Sequence, residues 1–525
     1  MIRRGVLLVF HLIAGYVLGN LLMAVVLAAI TLVKHLDKAI TNPLLLVGGV
    51  LGALVGWLRW RRGSAPTEEW GAHGSARWAT PGEVRASLVG GGGLIVGREN
   101  RKGGQLLRYG GEQHLITIAP TRSGKGVGAI IPNLLTANRS ILCIDPKGEN
   151  ARIAVQARLG MGPVDVLDPF GVSGVASAAF NPLDGLDEDS PDLAEDAALL
   201  ADALVYDPPR QVSEAHWNEE AKALIAGVIL YVVCHENPQA RNLITVRELL
   251  TSAPDAFEAL LAIMQKSQCA GGLIARAANR HLSKAGREAA GVLSSAQRHT
   301  HFLDSRRMAG VLERSDFRFE DLKAGTSTVF LVLPPDRLST HARWLRLLVA
   351  QAIGALARST LRPHAPVLLL LDEFAALGRL EPLEQAFGLM AGYGLQLWPI
   401  LQDLHQLRSV YGDRAGTFLS NAGLIQVFNV GDVETASWVS KSIGSATVAY
   451  QTAGTSVSKG PGPFLFQQTT TSTSTANHLT RRELLTPDEV MRLDSSLEIL
   501  LRQGAAPVAA RKVRYFADLE FASLF

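Results

Sequence analysis

The sequence predicts an α/β fold in which a doubly wound, mainly parallel sheet is interrupted by an all-helical insert. Three observations predict it. An apolar run, Leu115-Ile116-Thr117-Ile118, leads into Ala119-Pro120-Thr121-Arg122-Ser123-Gly124-Lys125-Gly126 and then a helix-like run from Val127 to Thr136. A second apolar run, Val367-Leu368-Leu369-Leu370-Leu371, has the character of a buried parallel strand and ends in Asp372-Glu373. Strand-like and helix-like segments alternate before residue 184 and after residue 326, while the stretch between them has helical periodicity.

A strand, a tight loop and a helix N-terminus in that order make a phosphate cradle. Backbone N–H groups and the positive end of the helix dipole face the anion. Lys125 would reach the terminal phosphates, and Thr121, Arg122, Ser123, Gly124, Gly126 and Val127 would supply the surrounding backbone. The pattern departs from the usual phosphate loop at both ends: Ala119 stands where a first Gly is expected, and Gly126 where a Ser or Thr would place a hydroxyl on Mg²⁺. The second run completes the chemistry. A carboxylate at a strand tip can hold Mg²⁺, which is the role expected of Asp372, and a second can polarise the attacking water, the role expected of Glu373. Leu395 to Leu401 reads as a further strand ending in Gln402-Asp403, and Gln402 is either a phosphate sensor or ordinary strand-end polarity. Together these features point to a nucleoside triphosphatase.

The bulk numbers set the frame. The chain has 525 residues, of which 47% are hydrophobic and 19% charged, with a net charge of +3. That charge is too small to imply nucleic-acid binding by itself. Its three cysteines, Cys143, Cys234 and Cys269, are far apart and show no metal-ligand spacing, so a reducing compartment fits. Residues 5–33 and 43–60 are apolar runs long enough to span a bilayer at about 1.5 Å per residue. Arg3 and Arg4 precede the first, and Arg59, Arg61 and Arg62 close the second, which places both ends in the cytoplasm. Residues 1–62 are therefore expected to form a transmembrane hairpin.

Residues 63–186 read as the first part of the nucleotide domain. Ser140 to Ile144 is a strand followed by the charged run Asp145-Pro146-Lys147-Gly148-Glu149-Asn150, as at the ligand-binding edge of a parallel sheet. Residues 187–325 read as the all-α insert. It is acidic at its start, from Asp187 to Asp202, and basic later, around Arg276, Arg280, Lys284, Arg287, Arg298, Arg306 and Arg307. Each cluster is either a solvated helix face or, respectively, a protein-docking and a phosphate-facing surface. Residues 326–525 read as the second part of the nucleotide domain. Within it, residues 452–477 are poor in charge and rich in Thr, Ser and Gly, and are expected to be a flexible loop. Leu497 to Leu501 and Val508 to Phe516 are expected to close the chain as a β-hairpin.

The order of several motifs resembles one family, the TraG-type type IV coupling proteins of conjugation and type IV secretion. The motifs are the two-span N-terminus, His73-Gly74-Ser75-Ala76-Arg77-Trp78-Ala79, the loop from Ala119 to Gly128, Asp145-Pro146-Lys147-Gly148-Glu149, Leu371-Asp372-Glu373-Phe374, Leu401-Gln402-Asp403, and Leu484-Leu485-Thr486-Pro487-Asp488-Glu489-Val490. Gly126 occurs at that position in members of the family. The resemblance implies a RecA-like P-loop ATPase using ATP and Mg²⁺, anchored as a multi-pass protein in the inner (cytoplasmic) membrane and assembled as a homo-hexamer. It implies delivery of a relaxase–single-stranded DNA complex, or of an effector protein, to a type IV secretion channel, with the insert as the docking domain. By the same resemblance Lys125 binds the β- and γ-phosphates, Asp372 holds Mg²⁺, Glu373 is the general base and Gln402 the phosphate sensor. A trans arginine finger is implied, but no motif selects it. The rival readings are a double-stranded DNA translocase of the chromosome-pumping class and a non-hydrolysing membrane scaffold. The first would carry a long linker and a winged-helix end. The second would have lost Lys125 or Glu373.

Overall fold

The computed structural model describes residues 13–14, 16–27, 38–63, 73–206, 215–389, 391–459 and 469–525. It divides into two compact units. One comprises Met1–Ser75 with Ser445–Arg482, and the other Ala76–Gly444 with Glu483–Phe525.

The larger unit is built on one 11-stranded sheet, in the order β2-β1-β13-β12-β9-β3-β8-β7-β4-β6-β5. Its strands are β1 (Leu94–Glu99), β2 (Leu106–Tyr109), β3 (His114–Ile118), β4 (Ile141–Asp145), β5 (Val164–Leu167), β6 (Thr328–Val332), β7 (Val367–Leu371), β8 (Leu395–Leu401), β9 (Ala422–Val427), β12 (Leu497–Arg502) and β13 (Val508–Arg511). From β9 to β5 all neighbours are parallel. β12, β13, β1 and β2 extend the sheet antiparallel from β9. The parallel strands are buried on both faces, which is why they read as unbroken apolar runs. Alternate residues feed separate cores: Ile116 and Ile118 of β3 enter one, Leu115 the other. Helices cover both faces, as in a doubly wound fold.

Between β5 and β6 the described elements, from Leu193–Leu204 to Asp321–Ala324, are all helices. Buried residues of these helices, such as Ile225, Val228 and Leu261, belong to the same apolar core as Ile118 and Leu371. The long helix Pro335–Arg358 carries Trp344, Leu347 and Leu348 into that core as well. The helix expected directly after the phosphate loop is modified. Residues Gly126–Ile130 form a π turn, with the Ile131 N–H bonded back to the Gly126 carbonyl, before the α-helix Ile131–Thr136. Pro132 has no N–H to give to the Gly128 carbonyl, so the regular four-residue pattern cannot run through this point.

In the smaller unit, helix Lys38–Gly63 contains the second apolar run. Helical residues 16–27 pack closely on it, since a Cβ on Gly19 would lie 2.2 Å from the Gly48 carbonyl oxygen. Much of the first run, residues 5–12, 15 and 28–33, lies outside the described residues. Among the described residues no helix is long and apolar enough to cross a membrane. The expected flexible loop at 452–477 is corrected. Its described residues belong to β10 (Ser445–Lys459) and β11 (Thr469–Glu483), a separate two-stranded sheet, and residues 460–468 lie outside the description. Low charge and the absence of a core suit an exposed ribbon as well as a loop, and the Thr- and Val-bearing sequence favours extended backbone. Ladder bonds, the Tyr450–His478 ring contact at 5.3 Å and the His478–Thr452 hydrogen bond at 3.0 Å hold the ribbon without burial.

Candidate nucleotide-binding site

The site lies at the carboxyl ends of adjacent strands. β8 sits between β3 and β7, and β4 follows β7. The phosphate loop leaves β3, Gln402 leaves β8, Asp372 and Glu373 leave β7, and Asp145 ends β4. Residues hundreds of positions apart therefore meet along one sheet edge, where α/β folds place their ligands.

The loop is held from below by the Ala119 N–H, which donates to the Leu401 carbonyl at 2.7 Å, and by the Ser123 N–H, which donates to the Pro120 carbonyl at 3.1 Å. Arg122 and Gly124 have left-handed backbones, with φ of 63° and 96°. Such alternation turns successive N–H groups toward one side and forms an anion-binding concavity. The two departures from the usual pattern are explained by the backbone. Ala119 is fully buried and has no positive φ, so it needs no glycine. Gly126 is also free of positive φ, and a Cβ there would meet open space.

Lys125 is the centre of the cluster. Its Nζ lies 2.7 Å from Asp372 Oδ1 and 2.8 Å from Glu373 Oε1. Burial acts against its charge, but the two carboxylates outweigh this and raise its pKa. Gln402 Nε2 donates to Glu373 Oε2 at 3.2 Å, and the Glu373 N–H donates to Asp372 Oδ1 at 3.0 Å. Glu373 itself has φ of 55°, a conformation uncommon for a residue with a Cβ, and strain of this kind concentrates at functional positions. Thus Lys125, Asp372, Glu373 and Gln402 lie within one connected cluster. Thr121, Arg122, Ser123, Gly124, Gly126 and Val127 occupy the loop and first turn beside them.

Three further residues stand beside the expected site residues. Asp145 is buried and accepts N–H bonds from Ala151 at 2.9 Å and Lys147 at 3.2 Å. Burial pushes its pKa up to about 6, and the nearby Asp372 adds to this. Lys512, at the end of the C-terminal hairpin, donates to the Ser123 carbonyl at 2.8 Å and to Asn429 Oδ1, and lies 4.6 Å over the Phe428 ring. Burial lowers its pKa to about 8. Gln406 accepts from the Gln402 N–H at 3.0 Å, and Asp403 caps the helix Leu404–Tyr411 that carries it. The Asp145 cluster was visible in the sequence as charge after a strand. Nothing in the sequence links Lys512 to a loop 389 residues away.

Among the described residues there is no group of three or more His, Cys, Asp or Glu placed to hold a metal by themselves. A phosphate-bridged Mg²⁺ asks for less, one or two carboxylates with the remaining positions filled by phosphate and water. Asp372 fits that need, and the open space over Gly124 and Gly126 leaves room for the phosphates.

Residues 77–524 match the protein family described as type IV secretory system conjugative DNA transfer. The chain belongs to this family. It is a type IV secretion coupling protein of conjugative DNA transfer. It is 29% identical over 501 residues to the conjugal transfer protein TraG of Escherichia coli, covering 85% of this chain and 77% of that protein. It is 29% identical over 483 residues to the protein VirD4 of Rhizobium rhizogenes, covering 86% and 67%. The fold resembles that of the plasmid coupling protein TrwB, solved in complex with ADP and Mg²⁺. The TM-score is 0.61 at 16% identity, over 84% of this chain and 94% of that one. The convergent site of this coupling protein thus lies wholly within the region that carries the family likeness.

Proposed function

We propose that the protein is a membrane-anchored ATPase that couples ATP hydrolysis to delivery of a relaxase–single-stranded DNA complex, or an effector protein, into a type IV secretion channel. The observation that carries the proposal is the convergence of Lys125, Asp372, Glu373 and Gln402 on one sheet edge beside a phosphate loop. The ADP and Mg²⁺ of the TrwB complex support the choice of ligand.

In this reading Lys125 exchanges its two carboxylates for the β- and γ-phosphates. The exchange frees Glu373 to accept a proton from the attacking water, while Gln402 stays within reach of Glu373 and registers the terminal phosphate. Asp372 would hold Mg²⁺, which would supply positive charge beside the phosphates. The backbone N–H groups of residues 121–127 orient the phosphates. Residues 1–62 are the inner-membrane anchor, residues 187–325 the docking domain and the hexamer the working assembly. The exposed apolar side chains of Leu18, Leu21, Leu22, Val50, Leu51 and Leu54 in the smaller unit support the anchor.

The test is nucleotide turnover of the full chain in detergent or lipid, with and without single-stranded DNA. Turnover that single strands stimulate is expected. Turnover indifferent to single strands would shift the cargo to protein. No turnover in either state, with nucleotide binding intact, would favour the scaffold reading.

A further inference from the structure

Arg346 is 3% exposed on the helix Pro335–Arg358, yet among the described residues no carboxylate lies within ion-pair distance of it. A buried guanidinium without such a partner is costly unless its donors are used. Here they are spent on backbone carbonyls of two separate elements. Nη1 donates to the Leu377 carbonyl at 2.5 Å and to the Arg379 carbonyl at 2.7 Å. Nε donates to the Ala203 carbonyl at 3.2 Å, in the last turn of the helix Leu193–Leu204, where the helix dipole favours a cation. The guanidinium also lies 4.3 Å over the Tyr206 ring. Burial lowers its pKa to about 10, which leaves it charged at neutral pH.

Leu377 and Arg379 belong to the turn that follows Glu373. The turn Phe374–Leu377 starts at the left-handed Glu373, whose carbonyl accepts from the Ala376 N–H at 2.8 Å. Gly378 closes it with φ of 61°, and the Tyr206 ring lies so close that a Cβ on Gly378 would be 2.3 Å from it. The first helix of the insert and the turn that fixes the strained Glu373 therefore share one cation and one ring.

We propose that Arg346, with Tyr206 packed on Gly378, is a positioning clamp that holds Glu373 in its left-handed conformation and ties it to the Leu193–Leu204 helix of the insert. The inference rests on the ATPase reading above and deepens it. Movement of that helix alters the hold on the turn, so cargo docked on the insert acts on the proton acceptor rather than on the phosphate loop. Arg346 does not touch the reacting atoms. Its removal acts on the chemical step and spares nucleotide binding, because Lys125 and the loop lie on a different strand.

The experiment uses the full chain and reads turnover and binding separately, with a fluorescent ATP analogue as the binding probe and a thermal melt as the check on folding. Arg346→Met is expected to lower kcat at least about tenfold, the scale of a modest misplacement of a reacting group, with probe affinity within about twofold of the parent. Arg346→Lys should recover part of the loss, since an amine reaches fewer carbonyls. Tyr206→Ala, which takes the ring off Gly378 and from under the guanidinium, should lower kcat in the same way with probe affinity kept. Unchanged kcat in folded Arg346→Met overturns the clamp. So does a kcat loss matched by an equal loss of affinity. If Arg346→Met does not fold, Tyr206→Ala decides: a kcat loss with affinity kept supports the clamp, and an unchanged kcat overturns it. A parent chain that binds the probe without turning over ATP overturns the site reading instead, and the clamp with it.

Discussion

Two polar clusters lie on neighbouring strands of this sheet and have opposite characters. One is the strand-end cluster of Lys125, Asp372, Glu373 and Gln402. The other lies inside the sheet. There Trp398 Nε1 donates to Thr117 Oγ1 at 2.8 Å, Thr117 donates to Gln426 Oε1 at 2.8 Å, and Gln426 donates to Glu498 Oε2 at 2.7 Å. All four are at most 1% exposed. Burial raises the pKa of Glu498 well above its usual range, which works against charge inside the sheet. At the strand ends the side chains keep 16%, 12% and 30% exposure for Lys125, Asp372 and Glu373, and Lys125 has two carboxylate partners that a phosphate can replace. The interior network fixes how β8, β3, β9 and β12 pack. The edge cluster is held by interactions that exchange. Depth along the strand separates scaffold from site, more than residue type does.

The comparison breaks most sharply at Lys125. Lys125→Ala is expected to abolish nucleotide turnover and DNA transfer while the melting temperature changes little. Normal transfer in a conjugation assay would remove the edge cluster from function. Glu373→Gln should bind nucleotide and hydrolyse it about 10²-fold more slowly, the scale of losing a general base; single-turnover kinetics at the parent's rate would move the base elsewhere.

Gln426→Leu tests the interior side. It strands Glu498 without its donor and should cost about 1–3 kcal/mol of stability, with turnover per folded molecule unchanged. Denaturant unfolding beside an activity assay would show whether the two clusters are separable. Lys512→Met is intermediate, since Lys512 joins the loop to the C-terminal hairpin. It should weaken nucleotide binding about fivefold, the scale of one hydrogen bond of about 1 kcal/mol, as read by titration with a fluorescent analogue. The smallest effect is a slope. Burial raises the Glu498 pKa in the fold above its ordinary value of 4.5, so folding favours proton uptake above that pH. Stability of the parent should therefore fall as pH rises from about 4.5, and Glu498→Gln should flatten the curve of melting temperature against pH.

The sequence determined the parallel half of this protein almost unaided. β7 and β8 begin and end where their strand-like runs do, because strands buried on both faces are apolar almost throughout and so announce their own limits. It also determined the loop, its lysine and the two carboxylates, since phosphate chemistry demands those residue types in a local order. Residues 452–477 were misread because low charge and missing core describe an exposed β-ribbon as well as a loop, and only pairing with the opposite strand separates them. Tertiary structure alone decided that Lys512 reaches the Ser123 carbonyl, that Asp145 sits near Asp372, and that Arg346 spans the insert and the turn after Glu373. Those contacts are donors meeting backbone carbonyls or charges meeting charges across the sheet order. A carbonyl leaves no mark in the side-chain sequence, and the order of strands in space is set by packing rather than by position along the chain.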